Sequence, residues 1–349
     1  MGPATGLWIA AGILVAGSFL CVFLIMAIRL VQDGYQKYRR KALYHCRRLL
    51  LHVVADDPEA LAQLPREVRR ADVLAHGLLE IAALIKGGDR DKLVNAVYEA
   101  GGFEPLVRKA LRGSLARRMT CLEAVAFFPL KTCRPILRTA MADPHPDVRL
   151  IAVGGLIEAG ASISPKTLIR SSLDGHLPVS LRFMALLHHL VKNQPRSAIE
   201  TLHDEHLPLA YQLMLCDAIG SAGDYEALPI LCRKATSMVP ELRAIAVNAL
   251  GRLKHPGAES VIDAALEDTD WRVRRAAVEA IGQVKFKRQY QHVADLLADP
   301  VWAVRAQAVA TLAAAGEPGH FVLRHVSKFS DNAAVRDLAA ITLGERLAA

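Results

Sequence analysis

The chain has 349 residues, 52% of them hydrophobic but only 5% aromatic, and a net charge of +8. So few aromatics beside abundant Ala and Leu exclude a strand-rich fold, because strands favour β-branched and aromatic side chains. The charge argues against a phosphate-tracking groove along the chain, which would need bases spread over its length. Residues 29–48 hold seven bases and one acid, whereas the 301 residues beyond them hold 36 bases and 34 acids.

The first predicted element is an apolar helix. Leu7 to Ile28 is a run of 22 residues without a charge, twelve of them Leu, Ile, Val or Phe. At 1.5 Å per residue it reaches about 33 Å, enough to cross a hydrocarbon core. Trp8 stands near one end, where an indole suits the membrane interface. A cleaved signal peptide would place bases before a shorter apolar stretch and a small-residue site after it. Here the bases follow, so residues 1–28 read as an uncleaved anchor.

Residues 29–48 form a basic juxtamembrane segment. Lys37, Arg39, Arg40, Lys41, Arg47 and Arg48 suit contact with anionic headgroups. Bases after the span and none before it place the C-terminal side in the cytoplasm and the N-terminus outside. The expected location is the inner membrane, crossed once, with the bilayer as a partner. A helix can run through the segment, with Gly34 as a soft point.

Residues 49–103 are helical in pattern but share no repeat, and read as a capping region. Residues 104–349 repeat. Asp268 to Gly282 aligns with Asp299 to Ala313 at a shift of 31, and Leu242 to Gly251 and Val335 to Gly344 extend the series one copy each way. A marker position runs through Arg117, Arg149, Arg182, Gln212, Arg243, Arg274, Arg305 and Arg336, spaced 30 to 33 residues apart. Each copy reads as a helix, an Asp-Pro-like turn, and a second helix carrying Val-Arg-x-x-Ala-x-x-x-Leu-Gly.

The motif resembles the HEAT-repeat family, including the short bacterial form similar to repeats of phycobilisome lyases. The resemblance implies an all-α solenoid of helical hairpins, preceded here by one transmembrane helix. Val273, Ala276, Ala277, Ala280 and Ile281 give the second helix one apolar face. Gly251, Gly282 and Gly344 are expected to end their helices. Asp143, Asp268 and Asp299, six residues before the marker, are expected to cap the second helix. As the resemblance implies, these Asp and Arg residues form a structural ladder between successive repeats, mapped here as Asp143 with Arg149, Asp268 with Arg274 and Asp299 with Arg305. His176 and Ser237 stand where Asp would precede Arg182 and Arg243.

Trp271 and Trp302 share one repeat position, three before the marker, held elsewhere by Pro146, Pro240 and Ala333. An indole at a rim is a frequent binding anchor; it could equally cover the turn and pack between repeats. His203-Asp204-Glu205-His206 is the best metal candidate, but sequence places no third ligand, so no metal site is expected. The six cysteines contain no C-x-x-C pair and read as packed, reduced thiols. No metalloprotease, phosphate-loop or nucleophile-elbow motif is present.

The chain therefore reads as a membrane-anchored protein-interaction scaffold, without catalysis, cofactor, small-molecule substrate or nucleic acid. The resemblance extends this to an accessory part of an envelope or exopolysaccharide glycosyltransferase system. Alternatives are a bilin lyase-like protein, disfavoured by the anchor, and a nucleic-acid-binding solenoid, disfavoured by the near-neutral repeats.

Overall fold

The computed structural model describes residues 3–85, 87–173 and 180–347. Among them every regular element is a helix. The chain divides into two compact units, residues 1–161 and 162–349.

The first unit contains α1 (Pro3–Val54), α2 (Pro58–Glu67), α3 (Ala71–Leu84), α4 (Gly88–Glu99), α5 (Phe103–Arg112), α6 (Leu115–Val125), α7 (Leu130–Ala140) and α8 (Pro146–Glu158). The second contains α9 (Pro165–Leu173), α10 (Leu181–Asn193), α11 (Pro195–Leu202), α12 (Leu209–Ala222), α13 (Leu228–Lys234), α14 (Pro240–Leu253), α15 (Glu259–Ala264), α16 (Trp271–Val284), α17 (Tyr290–Asp295), α18 (Trp302–Ala314), α19 (Glu317–Phe329) and α20 (Ala333–Leu347).

Helix α1 runs through Gly34 and the basic segment without a break. Most side chains of Leu7–Ile28 lie outside the described residues. Among the described residues, no helix is long and apolar enough to cross a membrane.

Each unit is a stack. In the first, the C-terminal part of α1, then α3, α6 and α8 pack in series, and α5 and α7 back α6 and α8. Helix α3, inside the stretch read as a cap, thus occupies a second-helix place. In the second unit α10, α12, α14, α16 and α18 pack in series, and α20 packs against α18 and α19. The predicted apolar face is the buried one: Val273, Ala276, Ala277, Ala280 and Ile281 are all in the core.

The glycines act differently from the sequence expectation. Gly251 and Gly282 do not end their helices; each lies inside one, before its last turn is complete. Their role is close approach. A Cβ on Gly220 would lie 2.6 Å from the Cα of Ala249, and one on Gly251 would lie 2.7 Å from the Cα of Ala280. One on Gly282 would meet Thr311 at 3.1 Å. Bare backbone is what lets successive second helices touch. Between α6 and α8 the same contact is made with the roles exchanged: Gly155 supplies the bare backbone, and its Cβ would meet that of Ala126 at 2.9 Å. Gly344 has nothing within 4 Å among the described residues.

The helix stop comes three residues after the motif glycine. Gly223, Lys254, Lys285 and Gly316 have φ of 74°, 53°, 63° and 69°, and Gly160 has 87°. Each stands eleven residues after its marker, so the left-handed turn that releases the chain is part of the repeat. Lysine fills it twice, against the steric preference for glycine.

Candidate interaction surface

In the copies marked by Arg149, Arg243, Arg274, Arg305 and Arg336 the turn between the two helices is closed by the marker arginine, which, where an aspartate is mapped to it, meets that residue at its backbone carbonyl, not at its carboxylate. Arg274 Nη1 donates to the backbone carbonyls of Asp268 at 2.8 Å and Thr269 at 3.2 Å. Arg305 does the same to Asp299 at 2.6 Å and Pro300 at 3.1 Å. Arg149, Arg243 and Arg336 each bond the carbonyls six and five residues earlier. Within a copy, then, arginine meets backbone, not carboxylate. Gln212, lacking a guanidinium, still reaches the Leu207 carbonyl at 2.7 Å and accepts from Lys234 at 2.8 Å.

The carboxylates face the arginine of the preceding copy. Arg243 grips Asp268 with two bonds of 2.7 Å, and Arg274 grips Asp299 at 2.7 and 3.0 Å. Arg118 pairs with Asp143. All three pairs are 25 residues apart. The mapping of Asp143 to Arg149, Asp268 to Arg274 and Asp299 to Arg305 is corrected accordingly. The physical reason is direction: Arg243 and Arg274 each spend one nitrogen closing their own turn and point the other edge at the next turn. The marker in the first copy is likewise Arg118, since Arg117 turns away to Asp72.

Nor do the aspartates cap the helices directly. Asp143, Asp268 and Asp299 accept from the amides of His145, Asp270 and Val301, each at 2.8 Å, closing a turn just before the helix. Ser237 does the same for Val239 at 3.2 Å. His176 lies outside the described residues. Burial alone would raise the carboxyls of Asp268 and Asp299, but the arginine and amide bonds outweigh it and hold both below the usual range. Asp270, gripped by Arg272, falls to about 2.

The ladder presents a row of side chains along one edge of the second unit. Trp271 and Trp302 are the first residues of α16 and α18, 37% and 62% exposed, and Met238 in the preceding turn is 94% exposed. The Arg305 guanidinium lies 5.3 Å from the Trp302 ring centre, a cation–π contact within one helix. Arg272, beside Trp271, joins Asp270 at 2.8 Å and Glu241 of the previous copy at 2.5 Å. Met238 carried no sequence signal beyond its place in the turn; only the fold reveals its exposure.

The other candidates resolve plainly. Lys37, Arg40, Lys41 and Arg48 are exposed on α1, while Arg39 bonds His76 and Arg47 pairs with Glu80 on α3. His203 accepts from Arg233 at 2.7 Å, and Asp204 closes its own turn on the His206 amide. Among the described residues no group of three metal-ligating side chains comes together. Cys46, Cys121 and Cys216 are buried, and burial pushes each thiol up to about 12, far from the reactive thiolate.

These features define a class: helical hairpins stacked through a repeated Arg–Asp ladder. Residues 234–313 match the family model of HEAT repeats. No curated protein matches the sequence significantly. Among solved structures, the karyopherin Kap121p bound to the extreme C-terminus of the protein phosphatase Cdc14p is similar, with a TM-score of 0.48 and 14% identity over 88% of this chain and 41% of that one. Kap121p bound to the SUMO protease Ulp1p gives a TM-score of 0.47 and 15% identity over 82% and 38%. An engineered protein gives 0.34 and 17% over 86% and 94%. The chain thus spans about two fifths of those karyopherin chains.

Proposed function

We propose that the chain is a membrane-tethered adaptor whose second unit binds a protein along the edge formed by Met238, Trp271 and Trp302. The observation that carries this reading is the exposure of two indoles at one repeat position, on turns rigidly held by the ladder. Aromatic anchors on rigid backbone lose little entropy on binding and dominate interface energies. Tethering would raise the local concentration of this edge near membrane partners. The anchor reading rests on the uncharged run Leu7–Ile28, and on Val22, Phe23, Ile25 and Met26, which are more than half exposed on α1. The basic flank then puts the repeats on the cytoplasmic face of an inner membrane.

Two measurements test this. Full-length protein should stay with membranes through alkaline carbonate extraction; release into the supernatant would end the anchor reading. Crosslinking and purification from membranes should recover a protein partner, and the Trp271→Ala/Trp302→Ala variant should lose at least about tenfold of it, since truncating one anchor costs about 2 kcal/mol or more. Equal recovery from a variant that keeps its helicity would remove this edge from consideration.

A further inference from the structure

The first unit holds a second surface, of different chemistry. A cleft of about 660 Å³ opens between α1, α3, α5 and α6. Its rim carries Arg39, Arg69, Arg70, Lys109 and Arg117 against a single carboxylate, Asp72. That balance departs sharply from the near-neutral repeats. Bases crowded without counter-charge repel one another, so the arrangement costs stability unless an anion joins it.

The geometry keeps the charges in place. His76 Nδ1 lies 2.7 Å from the Asp72 carbonyl, which can only accept, so this nitrogen carries the proton. Its Nε2 is then free to accept from Arg39 at 2.9 Å, which fixes the guanidinium over the cleft without neutralising it. Arg70 is steadied by the Tyr38 ring, 6.0 Å from its guanidinium carbon, and reaches Glu67 only at 3.8 Å. Arg69 and Lys109 have no ion-pair partner among the described residues. Arg117 Nε meets Asp72 Oδ2 at 2.9 Å, while Asp72 Oδ1 is buried with no hydrogen-bond partner. Tyr38, Ala42, Val73 and Cys121 give the walls an apolar component, and the volume is that of an organic-ligand site.

We propose that this cleft binds a phosphate-bearing ligand, with Arg69, Arg70, Lys109 and Arg39 meeting the phosphate. The phosphate could belong to a lipid headgroup or to a soluble phosphorylated molecule, and the two sources are separable by experiment. The proposal is independent of the tryptophan edge.

The test uses the full chain purified in detergent. Inorganic pyrophosphate is titrated calorimetrically, and phosphatidylglycerol retained from phosphatidylcholine–phosphatidylglycerol nanodiscs is counted by native mass spectrometry. The paired variant Arg69→Ala/Lys109→Ala removes two exposed or half-buried cations from the cleft. Lys131→Ala/Arg134→Ala removes the same charge from the outside of α7. A soluble source predicts saturable pyrophosphate binding that falls about tenfold or more in the cleft variant and holds in the α7 variant, as expected when charge-assisted bonds are lost. A lipid source predicts no pyrophosphate heat but retained phosphatidylglycerol, lost only in the cleft variant. Binding of neither probe, or equal losses in both variants, would overturn the proposal. Circular dichroism on each variant guards against unfolding.

Discussion

Gly251 and Gly344 hold the same place in the repeat, yet one is pressed against the next helix and the other meets nothing within 4 Å among the described residues. Arg274 and Arg305 differ in the same way: Arg274 closes its own turn and grips Asp299 ahead, whereas Arg305 closes its turn and lies over Trp302. The repeat motif therefore encodes two kinds of bond. One kind completes a copy by itself, and the other exists only where a following copy supplies its half. Stability in such an array is a sum of intrinsic and neighbour terms, and these pairs separate the two.

The sharpest way to break the comparison is to add volume at both glycines. Gly251→Val forces side-chain atoms into the Ala280 backbone, 2.7 Å from where a Cβ would sit, and should cost about 3 kcal/mol or more. Gly344→Val meets nothing and should change stability by less than about 1 kcal/mol. Urea unfolding of both variants checks this; equal losses would mean that the close approach is not what the glycine is for.

Next in size is the ladder. Asp299→Ala leaves the Arg274 guanidinium facing a mostly buried gap, with side chains 13% and 2% exposed in the pair, and should cost about 2–4 kcal/mol. The same pair predicts a pH effect. Asp268 and Asp299 are held below the usual carboxylate range, so the folded chain favours their ionised forms. Their contribution is full above the unfolded carboxylate value of about 4 and is lost as pH falls through the lower folded values. The wild type should lose urea resistance over that descent, and Asp299→Ala should lose less. Parallel curves would show that the titration lies elsewhere.

The period, the apolar face and the marker arginines were legible in the sequence because they recur in one chain at fixed spacing. The partner of each arginine was not, because Asp268 lies six residues from Arg274 and 25 from Arg243, and spacing alone does not say which way a guanidinium points. The same limit hid the identity of the first marker. Arg117 and Arg118 are adjacent, and only packing assigns Arg118 to the ladder and Arg117 to the cleft. The cleft itself was out of reach, since it gathers residues from 38 to 121 that share no motif.

The ladder can also be extended. Ser330 stands 25 residues after Arg305, where Asp268 and Asp299 stand relative to their arginines. Ser330→Asp should draw Arg305 off Trp302 and into a bidentate pair, adding about 0.5–1.5 kcal/mol. No gain in the urea midpoint, or no change in Trp302 fluorescence, would show that the last turn cannot reach the required geometry.

The smallest effect concerns the left-handed stops. Lys254 and Lys285 hold positive φ at positions where Gly223 and Gly316 do so without a Cβ. A non-glycine residue there costs about 1–2 kcal/mol of local strain, and glycine gives part of that back through the greater entropy of its unfolded chain. Lys285→Gly should therefore gain about 0.5–1 kcal/mol net. The Lys285 side chain makes no hydrogen bond or ion pair among the described residues, so no contact is lost to offset this. The control is Gly344→Ala, which exchanges the residues in the opposite sense. Gly344 lies inside α20 and its φ is not positive, so the freedom of glycine serves no turn there and alanine should gain up to about 1 kcal/mol. A loss at Lys285 together with a gain at Gly344 would mean that the Lys285 side chain contributes more than its left-handed backbone costs.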